Sequence, residues 1–236
     1  MLYSKRWLED ELSLEGAMLF TSSALNQYKD VYENYQTMYC LEADIINKIN
    51  ANEEGYFDFS KAMIDVGAGI CEYACITNFS YSYSFEPCKE TYWNGIANLL
   101  NFEKTNTAEI YKVFLSDCKE VVKFNGFNTI DDNDNMKVVE TTYLDTYNFK
   151  NIGFIKIDVE GFEEKVIRGG LLTIISNNYP PILFECWDVG VFGMTQEKRD
   201  SLFNLLKTLG YEIFEYWGDW ETHLAVHKTQ LEKNNQ

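Results

Sequence analysis

The chain is poor in the residues that would punctuate or staple it. Only 3 prolines and 14 glycines occur in 236 residues, so neither collagen-like order nor a Pro/Gly-rich disordered tract is present. The 6 cysteines (Cys40, Cys71, Cys75, Cys88, Cys118 and Cys186) include no C-x-x-C pair and no regular spacing. They read as free thiols of a reducing compartment. Basic residues are scarce too, 20 against 37 acidic ones, which gives a net charge of −17. Such a surface repels phosphate backbones and excludes DNA and RNA as partners. No apolar run approaches the roughly 20 residues of a membrane helix, and the N-terminus MLYSKRWLEDELSLE has acids where a signal peptide has its apolar core. The expectation is a soluble, cytoplasmic protein without a membrane partner.

What is plentiful is aromatic: 5 Trp, 16 Tyr and 16 Phe, or 16% of the chain. A chain of this length buries roughly 70% of its unfolded surface and needs no covalent staple. Residues 1–60 are polar and Tyr-rich, with Leu41, Ile45, Ile46 and Ile49 at helical spacing, and read as an N-terminal helical extension or cap. From 61 to 230 the pattern becomes short β-rich runs (AMIDVG, SYSFEP, EIYKVFLS, GFIKIDVE, PILFE) alternating with helical segments. That alternation predicts βαβ units around a parallel sheet. Residues 118–143 read as a β-hairpin excursion with DDNDN at its tip, and Gly161 to about Ile175 as one helix. Thr195–Leu209 reads as a helix closed by Gly210, followed by two antiparallel strands joined at Gly218 and Asp219.

Ile64-Asp65-Val66-Gly67-Ala68-Gly69-Ile70-Cys71 is a strand running through a glycine turn into a helix. Gly67 and Gly69 remove Cβ atoms where the chain turns tightly and a ligand comes close, and the helix N-terminus offers unpaired N–H groups. Glu86, nineteen residues beyond Gly67, is placed to accept hydrogen bonds from both hydroxyls of a ribose. The pattern points to a nucleoside-type cofactor. A dinucleotide site has a third glycine where this chain has Glu72, whose carboxylate opposes a pyrophosphate and suits the sulfonium and ammonium of S-adenosylmethionine.

DVGAGICEY, FEP at 85–87, LSD at 115–117, TTYLDTY at 141–147, IKIDVEGFEEKVIRGG at 155–170 and ILFE at 182–185 together resemble the FkbM family of S-adenosylmethionine-dependent methyltransferases, over about residues 60–228. The resemblance implies a class I methyltransferase fold. That is a Rossmann-like α/β three-layer sandwich with a seven-stranded, mostly parallel sheet whose last strand is antiparallel. It implies that Asp65, Gly67, Ala68 and Gly69 form the first cofactor motif, that Glu86 with Pro87 binds ribose, and that Ser116 and Asp117 lie near adenine. The family usually has Asn-Ile-Gly where this chain has Gly69-Ile70-Cys71, a departure that bears on the loop's geometry.

Lys156, Asp158 and Glu160 alternate with Ile157 and Val159 at the end of one β-rich run. Three ionisable groups on one face of a buried strand need a cleft, a partner or a ligand. Lys156 could pair with Asp158, and Glu163 and Glu164 could merely favour a helix N-terminus. Neighbouring carboxylates raise one another's proton affinity, which suits Asp158 or Glu160 to orient or deprotonate a hydroxyl. Asp158, Glu160 and Glu185 could also bind Mg²⁺ through oxygens. The resemblance implies O-methylation, most often of sugars or hydroxylated natural products. Trp187, beside Glu185 and Asp188, offers a ring for an apolar sugar face, with Trp217 and Trp220 near the last turn as further candidates. The expected partner is therefore a carbohydrate or another hydroxyl-bearing small molecule. No role falls to His223 or His227, and Cys71, Cys75 and Cys118 read as small buried hydrophobes. Two rivals remain: an NAD-dependent oxidoreductase or sugar-nucleotide enzyme using the same turn, and a non-catalytic cofactor-binding module.

Overall fold

The computed structural model describes residues 40–124 and 137–234. Helix α1 (Cys40–Ala51) buries Ile45, Ile46 and Ile49, the stripe that their spacing predicts, against Phe57, Phe154 and Trp217. This part of the expected cap shares the core of the sheet. Residues 1–39 of that expected extension, and the DDNDN tip, lie outside the described residues.

The strands that follow are β1 (Ala62–Val66), β2 (Tyr81–Phe85), β3 (Ala108–Tyr111), β4 (Phe114–Leu115), β5 (Val121–Phe124), β6 (Lys137–Thr142), β7 (Ile152–Ile157), β8 (Ile182–Glu185), β9 (Tyr211–Phe214) and β10 (Thr222–His227). Seven of them form one sheet in the order β3-β2-β1-β7-β8-β10-β9. Pairing is parallel from β3 to β8, and β10 runs antiparallel to both β8 and β9. The crossover helices are α2 (Glu72–Ile76), α3 (Lys89–Asn101), α4 (Glu163–Gly169), α5 (Leu171–Ser176) and α6 (Gln196–Thr208); α7 (Lys228–Asn234) follows β10. Alternation sorts the core strands' side chains. Ile64, Ile155 and Phe184 pack on one face of the sheet, and Met63, Phe154 and Leu183 on the other.

Several sequence expectations need correction. EIYKVFLS is two strands: β3 ends the main sheet, and β4 pairs with β6 in a three-stranded sheet completed by the antiparallel β5. The helix expected over 161–175 breaks at Gly170 into α4 and α5, where a Cβ on Gly169 would lie 2.0 Å from the Ser116 carbonyl oxygen. The final connection spans 215–221 rather than a two-residue turn. It is held by Asp219 Oδ1, which accepts from the N–H groups of Glu221 and Thr222. Gly218 there has φ +125°, and a Cβ on it would meet Ile45 Cγ1 at 2.6 Å. Thr195 caps α6 by accepting from the Lys198 N–H, and Gly210 follows its end with φ +91°, as read from sequence.

Candidate active site

A cleft of about 200 Å³ opens at the C-terminal ends of β1, β2 and β7, where open α/β sheets place ligands. Its polar lining is Glu86, Thr91, Asp158 and Glu160, and its apolar wall includes Val66, Phe85, Val113, Phe114, Leu115 and Val159. Gly67, Gly69 and Pro87 also line it. Neither Lys nor Arg is among the lining residues.

The two glycines do different work. A Cβ on Gly67 would sit 1.7 Å from the carbonyl oxygen of Asp158, and its φ is +75°, so this glycine lets the ends of β1 and β7 touch. A Cβ on Gly69 would meet nothing within 4 Å, and its φ is +50°. Gly69 is therefore the glycine that opens the cleft. Its N–H donates to Glu86 Oε2 at 2.9 Å, while Glu86 Oε1 accepts from the Cys88 N–H at 2.7 Å and the Thr91 hydroxyl at 3.1 Å. Glu86 is thus fixed at the end of β2 facing the turn. Burial raises its pKa, and these bonds oppose the rise. Cys71, where the family usually has glycine, takes a left-handed conformation with φ 63° and is fully buried. Thr91 and the apolar wall were missed by sequence reasoning. Thr91 lies in the first turn of α3 with no motif to mark it, and the break between β3 and β4 is hidden in a β-rich run where only Lys112 interrupts the apolar residues from Ile110 to Leu115.

Asp65 and Ala68 are buried but are not among the lining residues. Ala68 N–H donates to Phe85 O at 3.0 Å, which ties the turn to β2. Ser116 is buried and Asp117 exposed, one step beyond the lining residue Leu115. Their assignment to adenine rests on the family pattern alone.

The strand β7 stops at Ile157, so Asp158 and Glu160 stand on a loop and not on a strand face. Glu160 has φ +56° and Gly161 φ +95°. Glu163 shapes this loop. It is 2% exposed, and its Oε1 accepts from the N–H groups of Val159 at 3.1 Å and Gly161 at 3.0 Å. Burial pushes its pKa up to about 7, against those N–H donors. Glu164 instead pairs with Arg168 and Ser201 on the helix surface. The two acids that sequence treats alike therefore part company.

Lys156 is a buried strut. Its Nζ donates to the Gly67 carbonyl at 2.8 Å and lies 3.1 Å from Asp158 Oδ2 and 3.7 Å from Asp65 Oδ1. The expected pairing with Asp158 is present, and an ammonium committed in this way is not a proton donor for a substrate. Asp65 is fully buried, and among the described residues neither of its oxygens has a hydrogen-bond partner. Burial raises its pKa, Lys156 opposes the rise and Asp158 adds to it.

Asp158, Glu160 and Glu185 converge, each offering one oxygen within 4.8 Å of the others. Carboxylates this close hold a proton or a cation between them. Burial, with Asp158 and Glu221 next, pushes Glu160 up to about 7. Burial and the charges of Asp158, Glu163 and Glu160 hold Glu185 far above the carboxylate range. Glu185 Oε1 accepts from Trp187 Nε1 at 2.7 Å, and its Oε2 is buried with no hydrogen bond among the described residues. Glu72, at the start of α2, is also lifted to about 7 by burial.

Trp187 itself is 6% exposed, and its ring stacks obliquely on Phe192, which is 69% exposed. Phe192 therefore presents the open aromatic face there. Trp217 is buried under Lys48, away from this edge, whereas Trp220 is exposed. His223 is fully buried and His227 nearly so, which places neither on a surface. His223 Nδ1 accepts from the Tyr216 N–H, and its Nε2 lies 3.0 Å from the Cys186 carbonyl, so the ring ties two loops together. Cys71 and Cys75 are buried as expected, but Cys118 is exposed.

An all-acid, cation-free lining disfavours the pyrophosphate of a dinucleotide and accommodates a sulfonium. The residues present thus fit S-adenosylmethionine: Glu86, Gly69 and Val113–Leu115 all line the one cleft. The family comparison speaks against the dinucleotide rival: the model of the methyltransferase FkbM domain matches residues 65–213. The chain belongs to the FkbM methyltransferase family. Among solved structures, the FkbM methyltransferase of Methylobacillus flagellatus KT is 19% identical with a TM-score of 0.55, covering 72% of this chain and 44% of that one. A Staphylococcus aureus protein provisionally assigned as a caffeoyl-CoA O-methyltransferase is 13% identical with a TM-score of 0.51, covering 89% of this chain and 99% of that one. At these identities the likeness is one of fold, and this FkbM chain spans less than half of its Methylobacillus relative. No curated protein matches it. Among the described residues no helix is long and apolar enough to cross a membrane.

Proposed function

We propose that the chain is an S-adenosylmethionine-dependent O-methyltransferase whose acceptor is a hydroxyl of a sugar, free or within a glycan. The observation that carries this reading is the carboxylate cluster at the cleft edge, with Glu160 poised near neutrality. S-adenosylmethionine, when bound, supplies an electrophilic methyl group and leaves as a neutral thioether. Asp158, held 3.1 Å from the Lys156 ammonium, orients the acceptor hydroxyl. Glu160, which makes no hydrogen bond among the described residues, accepts the hydroxyl proton as the oxygen–carbon bond forms and the carbon–sulfur bond breaks. The cluster needs water excluded and the acceptor oxygen aligned, and the apolar wall of the cleft supports both. The same three carboxylates would serve equally to hold a divalent cation through oxygens, and the response to EDTA separates the two readings.

Transfer of a tritiated methyl group to a panel of methyl glycosides tests the reading. Turnover is expected to rise through about pH 7, as Glu160 loses its proton, and to be insensitive to EDTA. Glu160→Gln is expected to lower kcat by about 10²–10⁴. Full turnover in that variant removes Glu160 as the base. Loss of turnover in EDTA restores the metal, and methylation of catechols but no glycoside removes the sugar.

A further inference from the structure

The central sheet carries an unusual buried row. Asp65 on β1 stands in register with Lys156 on β7 and Ser84 on β2, all three fully or almost fully buried in the middle of a parallel sheet. A parallel strand is normally apolar on both faces, so charges here carry a desolvation cost that packing alone does not explain. The Lys156 ammonium reaches past this row to the C-terminal ends of two strands at once. It donates to the carbonyl of Gly67, in the turn that borders the cleft, and meets Asp158, the first residue of the loop that holds Glu160. Two other contacts knit the same seam: the Asp158 N–H donates to Val66 O at 2.9 Å, and Gly67 leaves no room for a Cβ against Asp158 O. Tyr73 of α2 closes the site from the other side, its ring centre 5.3 Å from Nζ.

We propose that Lys156 is a positioning residue, one buried ammonium that locks the glycine turn bordering the cofactor cleft to the loop carrying the base, so that the two halves of the site move as one. The cofactor readout below rests on the methyltransferase reading; the resonance readout does not.

Removing Lys156 alone leaves the fully buried Asp65 without compensation and the partly exposed Asp158 without its partner, which threatens the fold itself. Asp65→Asn therefore serves as the reference background. In D65N, adding K156M removes one cation, one bond to Gly67 O and the partner of Asp158. Adding K156Q removes the charge but retains an amide donor. Calorimetric affinity for S-adenosylhomocysteine is expected to weaken about tenfold in K156M/D65N relative to D65N, the effect of one charge-assisted bond, and less in K156Q/D65N. In cofactor-free protein, backbone amide resonances of Gly67–Gly69 and of Asp158–Gly161 are expected to shift together in K156M/D65N, which a mere core-filling role would not produce. The proposal is overturned if K156M/D65N, folded by circular dichroism, matches D65N in affinity, or if only one of the two segments responds. Should K156M/D65N not fold, K156Q/D65N equal to D65N in both readouts overturns it as well. Absence of S-adenosylhomocysteine binding by the wild-type protein defeats the methyltransferase reading, while the paired resonances still judge Lys156.

Discussion

At the scale of single residues, Cys71 shows how the chain accommodates its departure from the family pattern. A left-handed backbone costs an L-residue roughly 1–2 kcal/mol, and Cys71 adopts one where the family usually has glycine. The thiol is accommodated opposite Gly95 of α3, where an added Cβ would lie 2.8 Å from Cys71 Sγ and 3.0 Å from Ile110 Cδ1. The two positions are therefore coupled. Gly95→Ala gains about 1 kcal/mol of helix propensity but overpacks the thiol by about 1–3 kcal/mol. In a double-mutant cycle read by denaturant unfolding, Gly95→Ala is expected to be better tolerated in the Cys71→Gly background by about 1 kcal/mol or more. Additive effects would show that the contact is not a constraint. The departure was visible in sequence, but its partner was not, because Gly95 is twenty-four residues away on another helix.

At the scale of elements, what sequence revealed follows the range of the forces involved. The strands β1, β2, β7 and β8 were legible because β-rich apolar runs ended at Gly, Pro or charged residues, and α6 because Thr195 and Gly210 mark its ends. The stop of β7 at Ile157 was not legible: Asp158-Val159-Glu160 continues the alternation perfectly, and only the approach of Gly67 and the Glu163 carboxylate turn the chain aside. The split between β3 and β4 was hidden for the same reason, since among the described residues β4 pairs with β6, the far strand of the hairpin. The candidate acids were found by type and order. Their separation into a cluster facing Glu185, a strut's partner and a loop anchor needed tertiary distances.

At the scale of the whole molecule, both excesses of composition acquire places. The aromatic surplus is largely packing. Phe57, Phe79, Phe154 and Trp217 form one cluster, and Tyr83, Phe85, Tyr111, Tyr147 and Phe149 another. Part of the acid surplus is buried around the cleft, and this has a consequence for stability. Glu72, Glu160 and Glu163 are pushed up to about 7, with Asp65, Glu86 and Glu185 also raised. An unfolded glutamate titrates at about 4.3, so between that pH and about 7 these carboxylates bind more protons in the folded chain than in the unfolded one, while His223 and His227, whose pKa burial lowers, oppose them in the upper part of the window. Stability therefore falls as pH rises through this window, the reverse of the usual behaviour of paired carboxylates. The cofactor-free protein is expected to melt at a lower temperature at pH 8 than at pH 5.5, read by scanning calorimetry. A Tm that climbs over this interval would show that these carboxylates are solvated. On the proposed mechanism activity is expected to run the other way, with Glu160 ionised to act as the base.

The proposed function depends on the cleft holding a cationic nucleoside cofactor and not a dinucleotide. Isothermal titration calorimetry with S-adenosylhomocysteine and with NAD measures that choice directly. The geometry of Glu86, Gly69 and the cation-free lining predicts saturable one-to-one binding of S-adenosylhomocysteine, weakened by Glu86→Gln, with no binding of NAD. Binding of NAD alone would contradict it.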